Sequence, residues 1–410
     1  MAKRTLDAFF KPSTNTPSNP TPKRPKNEEA QPTLKTSPPP QTTPSEEPIP
    51  PSTHPSYPIP IANLPTHIQV GLEHATPARA PREQKNQPHL DLLHFQPYIP
   101  KETANELFKF LRRELPFYRV QYKARRGDTE TQINTPRFTT VFGVDETALF
   151  VEDKNKHSNS NSNSDTNSDL NGNNNNSHDL NLVLLDSKTN LQPPKHKYKL
   201  TPRPIPPCLD ILRRQVEKAT NVKQSYNFCL VNYYASGEDS IAFHSDDERF
   251  LGVEPNIASL SLGGERDFLM KHKPYAPVGN GNTRPVHAFG MGSGAGMQMD
   301  TCTTRGSNPR FNDGSVSSTQ LQTQQQIKMN LGSGDMVVMR GPTQAHWLHS
   351  IPKRKGKAGE ATKGRINITF RRAVVPGGTD NYYHYNVGDG GMYRWDEGAR
   401  RMVAQGRGDA

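Results

Sequence analysis

Residues 365–371 read Arg-Ile-Asn-Ile-Thr-Phe-Arg, a strict alternation of apolar and polar side chains. In a strand, successive side chains point to opposite faces. Ile366, Ile368 and Phe370 then share one face, and Arg365, Asn367, Thr369 and Arg371 share the other. A surface strand with a solvated polar face satisfies this pattern. So does a strand that lines a pocket for a dicarboxylate, because guanidinium groups bind carboxylates through paired hydrogen bonds.

The whole chain cannot be packed core. Only 31% of its 410 residues are apolar, against about 45–50% in ordinary globular domains. The diluting sequence is localised. Residues 1–88 hold 20 of the 38 prolines, and such a segment buries too little apolar surface to offset its ordering entropy, so it is expected to be a disordered tail. Low-complexity inserts are expected at about 154–190, where 11 of the 27 residues 155–181 are Asn, and at about 277–327. Loop closure cost grows only logarithmically with length, so a fold tolerates both. What remains is one domain over 89–375 and an extension over 376–410. No stretch approaches the roughly 18 apolar residues of a membrane span, and the N-terminus lacks an apolar signal core. Cys208, Cys229 and Cys302 have no CxxC spacing, which excludes a disulfide framework or zinc knuckle. The net charge of +11 favours an anionic partner.

Helical spacing of Leu107, Phe108, Phe110 and Leu111 after Pro100 predicts one helix, and 207–219 a second. Beyond these the apolar runs are short and alternating: 228–234, 241–244, 258–262, 267–272, 335–340, 346–351 and 365–372. The fold class is therefore mainly β with supporting helices, a double-layered barrel or jelly roll.

Three tracts carry candidate chemistry. Asn232 and Tyr234 lie two apart and point the same way on a strand. His244 and Asp246 do likewise at a strand end, where an imidazole and a carboxylate can share one divalent metal. Two histidines and one carboxylate form the facial triad of non-haem Fe(II) oxygenases. Isolated HxD triplets usually bind nothing, so a third ligand matters. His346 and His349 are the candidates, and on a strand their spacing lets only one reach the metal.

The order NxY, HxD, His and RxNxTFR resembles the AlkB family of Fe(II)- and 2-oxoglutarate-dependent dioxygenases, over about 90–373 without the inserts. The resemblance is strongest to the eukaryotic nuclear homologues that repair alkylated DNA, through NFCLVNYY (227–234), HSDDE (244–248), IASLSLGGERDF (257–268), HWLHSIP (346–352) and RINITFR (365–371). It implies a double-stranded β-helix (jelly roll) core. It implies His244, Asp246 and His349 as Fe(II) ligands, with His346 a packing or supporting residue. It implies Asn232, Tyr234, Arg365, Thr369 and Arg371 around 2-oxoglutarate, Arg365 taking the distal carboxylate and Asn367 orienting its neighbours.

The implied activity uses O2 and 2-oxoglutarate to demethylate 1-methyladenine or 3-methylcytosine in DNA, releasing formaldehyde, on a base flipped from the duplex. Asp247, Glu248, Arg137 and Tyr198 match residues that recognise the base. Tyr122 is a weak match to a duplex-probing wedge near 120–123, beside an extra basic stretch that holds Lys123, Arg125 and Arg126. Near the N-terminus, Leu6, Phe9 and Phe10 have the spacing of a peptide that binds the DNA sliding clamp. Lys23-Arg24-Pro25-Lys26 is a candidate nuclear import signal. The expectation is a monomeric nuclear enzyme with no membrane partner. The alternatives are an RNA demethylase of the same family, a noncatalytic nucleic-acid or clamp-binding protein, and a prolyl-hydroxylase-like oxygenase.

Overall fold

The computed structural model describes residues 50–75, 77, 79–126, 129–153, 182–274, 326–354, 363–388 and 390–406, without the side chains of 122–126, 129 and 131–134. Leu6, Phe9, Phe10 and the basic tetrapeptide at 23–26 lie outside the described residues. Five helices are described: α1 (Thr66–Glu73), α2 (Lys101–Glu114), α3 (Pro207–Thr220), α4 (Thr343–His346) and α5 (Asp380–Asn386). The first strands are β1 (Arg82–Gln84), β2 (Leu92–Phe95), β3 (Phe117–Tyr118), β4 (Gln121–Arg126), β5 (Thr129–Asn134), β6 (Phe138–Gly143), β7 (Ala148–Glu152) and β8 (Leu182–Asp186). Then come β9 (Phe228–Tyr234), β10 (Ile241–His244), β11 (Ile257–Gly263), β12 (Arg266–His272) and β13 (Ile327–Leu331). The last are β14 (Met336–Met339), β15 (Trp347–Ile351), β16 (Arg365–Arg371), β17 (Met392–Asp396) and β18 (Arg401–Ala404).

Strands β9 to β16 form the double-stranded β-helix. A large sheet runs β1-β2-β14-β11-β16-β9-β6-β3-β17-β18, and a small one runs β10-β15-β12-β13. Successive strands of the jelly roll fall alternately in the two sheets except at the β12–β13 pair, which is a hairpin of the small sheet. Among the described residues no helix is long and apolar enough to cross a membrane.

The alternation of β16 decides where the core lies. Ile366, Ile368 and Phe370 are fully buried in a cluster on the outer side of the large sheet, with Leu107, Phe108 and Leu111 of α2 and Leu209, Leu212 and Val216 of α3. Strand β9 contributes Cys229, Val231 and Tyr233 to the same side. Its other set, Phe228, Leu230 and Tyr234, joins a second cluster between the sheets with Phe268, Met270 and Trp347. The polar face of β16 thus points into the space between the sheets. Helix α2 begins after Pro100, carries Glu102 in its first turn and Arg112 and Arg113 in its last, charges that complement the helix dipole. Helix α3 starts with Pro207, whose fixed φ suits the first helical position.

Three expectations need correction. The proline-rich tail does not extend to residue 88, because its described part is ordered into the domain. Ile61, Leu64, Ile68 and Leu72 are all at most 3% exposed and belong to the outer cluster. The i, i+4 pair Ile68 and Leu72 gives α1 one apolar stripe, and β1 extends the sheet edge by pairing with β2. Second, the insert expected at 154–190 ends earlier, since residues 182–186 form β8, paired with β7. Residues 154–181 and 275–325 lie outside the described set. Third, the extra basic stretch, given no secondary structure from the sequence, forms a hairpin, β4 with β5, in which Tyr122 pairs Ile133. The extension over 376–410, which had no reading, adds α5 and the strands β17 and β18 to the domain.

Candidate active site

Registers across both sheets assemble the site. In the large sheet, β16 pairs with β9 so that Asn367 lies opposite Asn232 and Arg365 opposite Tyr234. On its other side β11 places Ser259 opposite Thr369 and Ser261 opposite Asn367. In the small sheet, β10 and β15 place His244 directly opposite His349. Asp246 follows β10, its backbone N–H donating to Gln344 Oε1 at 2.8 Å.

His244, Asp246 and His349 converge, each offering one ligand atom within 4.8 Å of the others. Asp246 stands between the imidazoles, with Oδ1 3.9 Å from His244 Nε2 and Oδ2 3.9 Å from His349 Nε2. The His244 Nδ1–H donates to the Ala242 carbonyl at 2.9 Å, which leaves Nε2 with its lone pair facing the carboxylate. Phe268 stacks on His349 at 5.5 Å and restricts its ring. Burial, followed by the neighbouring His244, pushes the His349 imidazole down to about 3 against the pull of Asp246. Burial likewise lowers His244. Burial raises the Asp246 carboxyl, but Arg371, His349 and His244 outweigh it and hold the group below its ordinary value. Two neutral imidazoles and an ionised carboxylate, aimed at one point from one side, fit Fe(II).

The same cavity holds two buried arginines. Arg371 Nη2 donates to Asp246 Oδ2 at 2.9 Å. Burial lowers Arg371, but Asp246, Tyr382 and Glu248 more than offset this and hold it above its ordinary value. Arg365 is 1% exposed, donates through Nη2 to Ser261 Oγ at 2.8 Å, and lies 5.4 Å from the Tyr234 ring. Burial pulls Arg365 down to about 10, so it stays cationic at neutral pH. Its Nε and Nη1 have no hydrogen-bond partner among the described residues. A buried fork with unmet donors fits a carboxylate, as 2-oxoglutarate would supply at the end of the cavity away from the metal.

The other predicted residues occupy different surroundings. Asn232 accepts from Arg137 Nε at 2.8 Å, so both line the cavity. Asn367 donates to Ser259 Oγ and the Leu260 carbonyl, and accepts from Thr369 at 3.3 Å. Asp247 is exposed and paired with Lys273 at 2.5 Å. Glu248 accepts from the Tyr382 hydroxyl at 2.8 Å. Tyr198 is buried in a small cluster with Val144 and Ala148, and is not among the residues lining the cavity. The Tyr122 side chain lies outside those described, while Val120, in the same expected wedge region, is 5% exposed and packed inward. His346 ends helix α4 instead of standing on a strand.

The sequence reasoning missed Tyr382 and Ser261. Tyr382 lines the cavity and places its ring 5.0 Å from the Arg371 guanidinium. Its only signal was an aromatic cluster in an extension with no assigned role. Ser259 and Ser261 were visible as the small polar set of the alternating segment Ile257–Gly263, facing the arginine strand.

A His-Asp-His triad and a buried arginine suited to a carboxylate, inside a double-stranded β-helix, are the arrangement of a 2-oxoglutarate-dependent dioxygenase. The sequence model of the 2OG-Fe(II) oxygenase superfamily matches residues 91–371. Relatives include the DNA oxidative demethylase ALKBH2 of Mus musculus, 33% identical over 175 residues that cover 43% of this chain and 54% of that one. The ALKBH2 of Arabidopsis thaliana is 34% identical over 146 residues, 36% of this chain and 37% of that one. The alpha-ketoglutarate-dependent dioxygenase alkB homolog 3 of Bos taurus is 32% identical over 176 residues, 42% of this chain and 46% of that one. The chain spans about half the length of the curated relatives it matches. It belongs to the 2OG-Fe(II) oxygenase superfamily.

Proposed function

We propose that this chain is an oxidative DNA demethylase that removes methyl groups from 1-methyladenine and 3-methylcytosine and releases formaldehyde. The observation that carries the reading is Arg365, buried and cationic, whose Nε and Nη1 meet no acceptor within hydrogen-bond distance among the described residues, in one cavity with the metal triad. The DNA substrate is supported by the named activity of the ALKBH2 relatives.

Bound Fe(II), with 2-oxoglutarate and O2, supplies the oxidising power that hydroxylates the N-methyl carbon; the resulting N-hydroxymethyl base breaks down to formaldehyde and free base. The protein's own work is positional. His244 Nε2, His349 Nε2 and the Asp246 carboxylate hold the metal. Arg365, Tyr234 and Asn232 orient the co-substrate, and Arg371 holds the carboxylate of Asp246. Methylation at adenine N1 or cytosine N3 blocks pairing and adds positive charge, so such a base flips at lower cost. Glu248 and Asp247 follow the triad carboxylate and supply acceptors for the exocyclic amine and the charge of that base. Asp247 must exchange its contact with Lys273 to do so.

The remaining proposals rest on sequence spacing: clamp binding through Leu6, Phe9 and Phe10, and a monomeric enzyme in the nucleus. Turnover by the full chain on methylated single-stranded DNA, duplex DNA and RNA oligomers tests the substrate reading. Faster turnover on either DNA than on RNA supports it, and preference for RNA transfers the activity to the RNA-demethylase alternative. Loss of clamp binding in Phe9→Ala/Phe10→Ala is expected, and undiminished binding removes the peptide reading.

A further inference from the structure

Outside the oxygenase triad, three histidines from separate parts of the chain meet. His89 precedes β2, His272 ends β12 and His346 ends α4. One ring nitrogen of each lies within 4.8 Å of the others, the same envelope that encloses the His244, Asp246 and His349 ligand atoms. The His89 and His346 rings stack at 3.9 Å and 18°. His89 Nδ1 stands 3.3 Å from His272 Nε2.

These rings are held in place by contacts that do not need a ligand. His272 is 7% exposed, and its Nδ1–H donates to the Lys273 carbonyl at 2.6 Å, which turns the bare Nε2 toward His89. Trp347 lies edge-on to His272 at 5.3 Å and donates through Nε1 to the Pro88 carbonyl at 3.0 Å. The Lys273 N–H donates to the His346 carbonyl at 2.7 Å, joining β12 to α4. His89 itself adopts φ 58, a left-handed conformation that a non-glycine residue keeps only where its surroundings hold it.

We propose that His89, His272 and His346 form a second metal site, distinct from the iron triad, that takes Zn2+. Three imidazoles with no carboxylate or thiolate in the cluster suit a borderline-soft divalent ion. Zinc accepts three histidines and keeps a fourth position for water, and His89, which is exposed, leaves that side open to solvent. A small inward movement of the three side chains brings their nitrogens to the Zn–N distance of about 2.0–2.1 Å. The ion ties the segment before β2 to the end of the small sheet. Its location couples it to the active site: His272 lies two positions beyond Met270, which pairs with His349, about 7 Å along the strand. Gln344 of α4 holds the Asp246 backbone N–H and accepts from Lys273.

Zn2+ titration of the full-length chain carrying His244→Ala and His349→Ala tests this, because that background lacks the iron triad. One equivalent of Zn2+ should bind and raise the melting temperature. Adding His89→Ala, an exposed position, removes one of three direct ligands and should weaken that binding by more than the roughly 100-fold that loss of an outer-shell partner costs, removing the thermal shift. In the otherwise native chain, His89→Ala alone should lower bound Zn2+ from two equivalents to one, a readout that stands if the double-substituted background does not fold. No zinc bound in the folded background, or zinc bound equally well with and without His89, overturns the site.

Discussion

Arg371 and Asp246 form an ion pair across the two sheets of the barrel, Nη2 to Oδ2 at 2.9 Å, with side chains 4% and 3% exposed. Arg371 ends β16 of the large sheet, and Asp246 follows β10 of the small one. The pair sets the carboxylate between the two histidines before any metal arrives. Replacing Arg371 with Met leaves the buried Asp246 without its ion-pair partner. Breaking such a pair typically costs about 3–5 kcal/mol, so urea unfolding of metal-free Arg371→Met should show a loss of that order. A loss below about 1 kcal/mol would mean that water reaches Asp246.

Arg365→Lys separates charge from geometry. Lysine keeps the cation but loses the fork. A charged hydrogen bond contributes about 1.5–3 kcal/mol, so affinity for 2-oxoglutarate should fall roughly 10- to 150-fold while metal affinity stays unchanged. Equal affinity in the variant would place the co-substrate's distal carboxylate elsewhere.

Leu72→Ala reports on the N-terminal segment. Helix α1 packs against α2 and α3, so truncating the buried leucine should cost about 2–5 kcal/mol. A neutral effect on chemical denaturation would return this segment to the tail.

His94 predicts a pH dependence of stability. Burial, then the nearby Arg82, holds its imidazole below the ordinary value. Between that lowered value and about 6.5 the unfolded chain binds more protons than the folded one, so the stability that neutral His94 contributes is complete above about pH 6.5 and lost as pH falls below it. The loss approaches about 1.4 kcal/mol per pH unit at most. Urea midpoints at pH 7 and pH 5 should therefore fall further in the native chain than in His94→Gln, and identical falls would contradict the burial argument.

Much of the barrel was legible because its strands obey one rule. The segments 228–234 and 241–244 were bounded as β9 and β10 are, and the alternation of 365–371 separated the apolar face, which packs on the helices, from the polar face, which lines the cavity. That rule put Arg365 and Arg371 on one face, and burial of that face between the sheets is what the structure adds. What composition obscured was short structure in polar surroundings. Helix α1 has only eight residues among prolines, and its stability comes from the faces of α2 and α3, which no local pattern reveals. Tyr382 illustrates a second blind spot. It reaches the cavity from a helix after the last barrel strand, and only tertiary packing brings it beside Arg371 and Glu248. Strand spacing left His346 and His349 as rival ligands and the resemblance favoured His349; the structure sets His346 apart by ending α4 there.

The most direct measurement is product formation from a 1-methyladenine DNA oligomer by the full chain with Fe(II), 2-oxoglutarate, O2 and ascorbate. Formaldehyde and succinate should appear in equal amounts with restored adenine, and His349→Ala should abolish all three. No formaldehyde from the native chain, or undiminished product from the His349→Ala variant, would contradict demethylation at this triad.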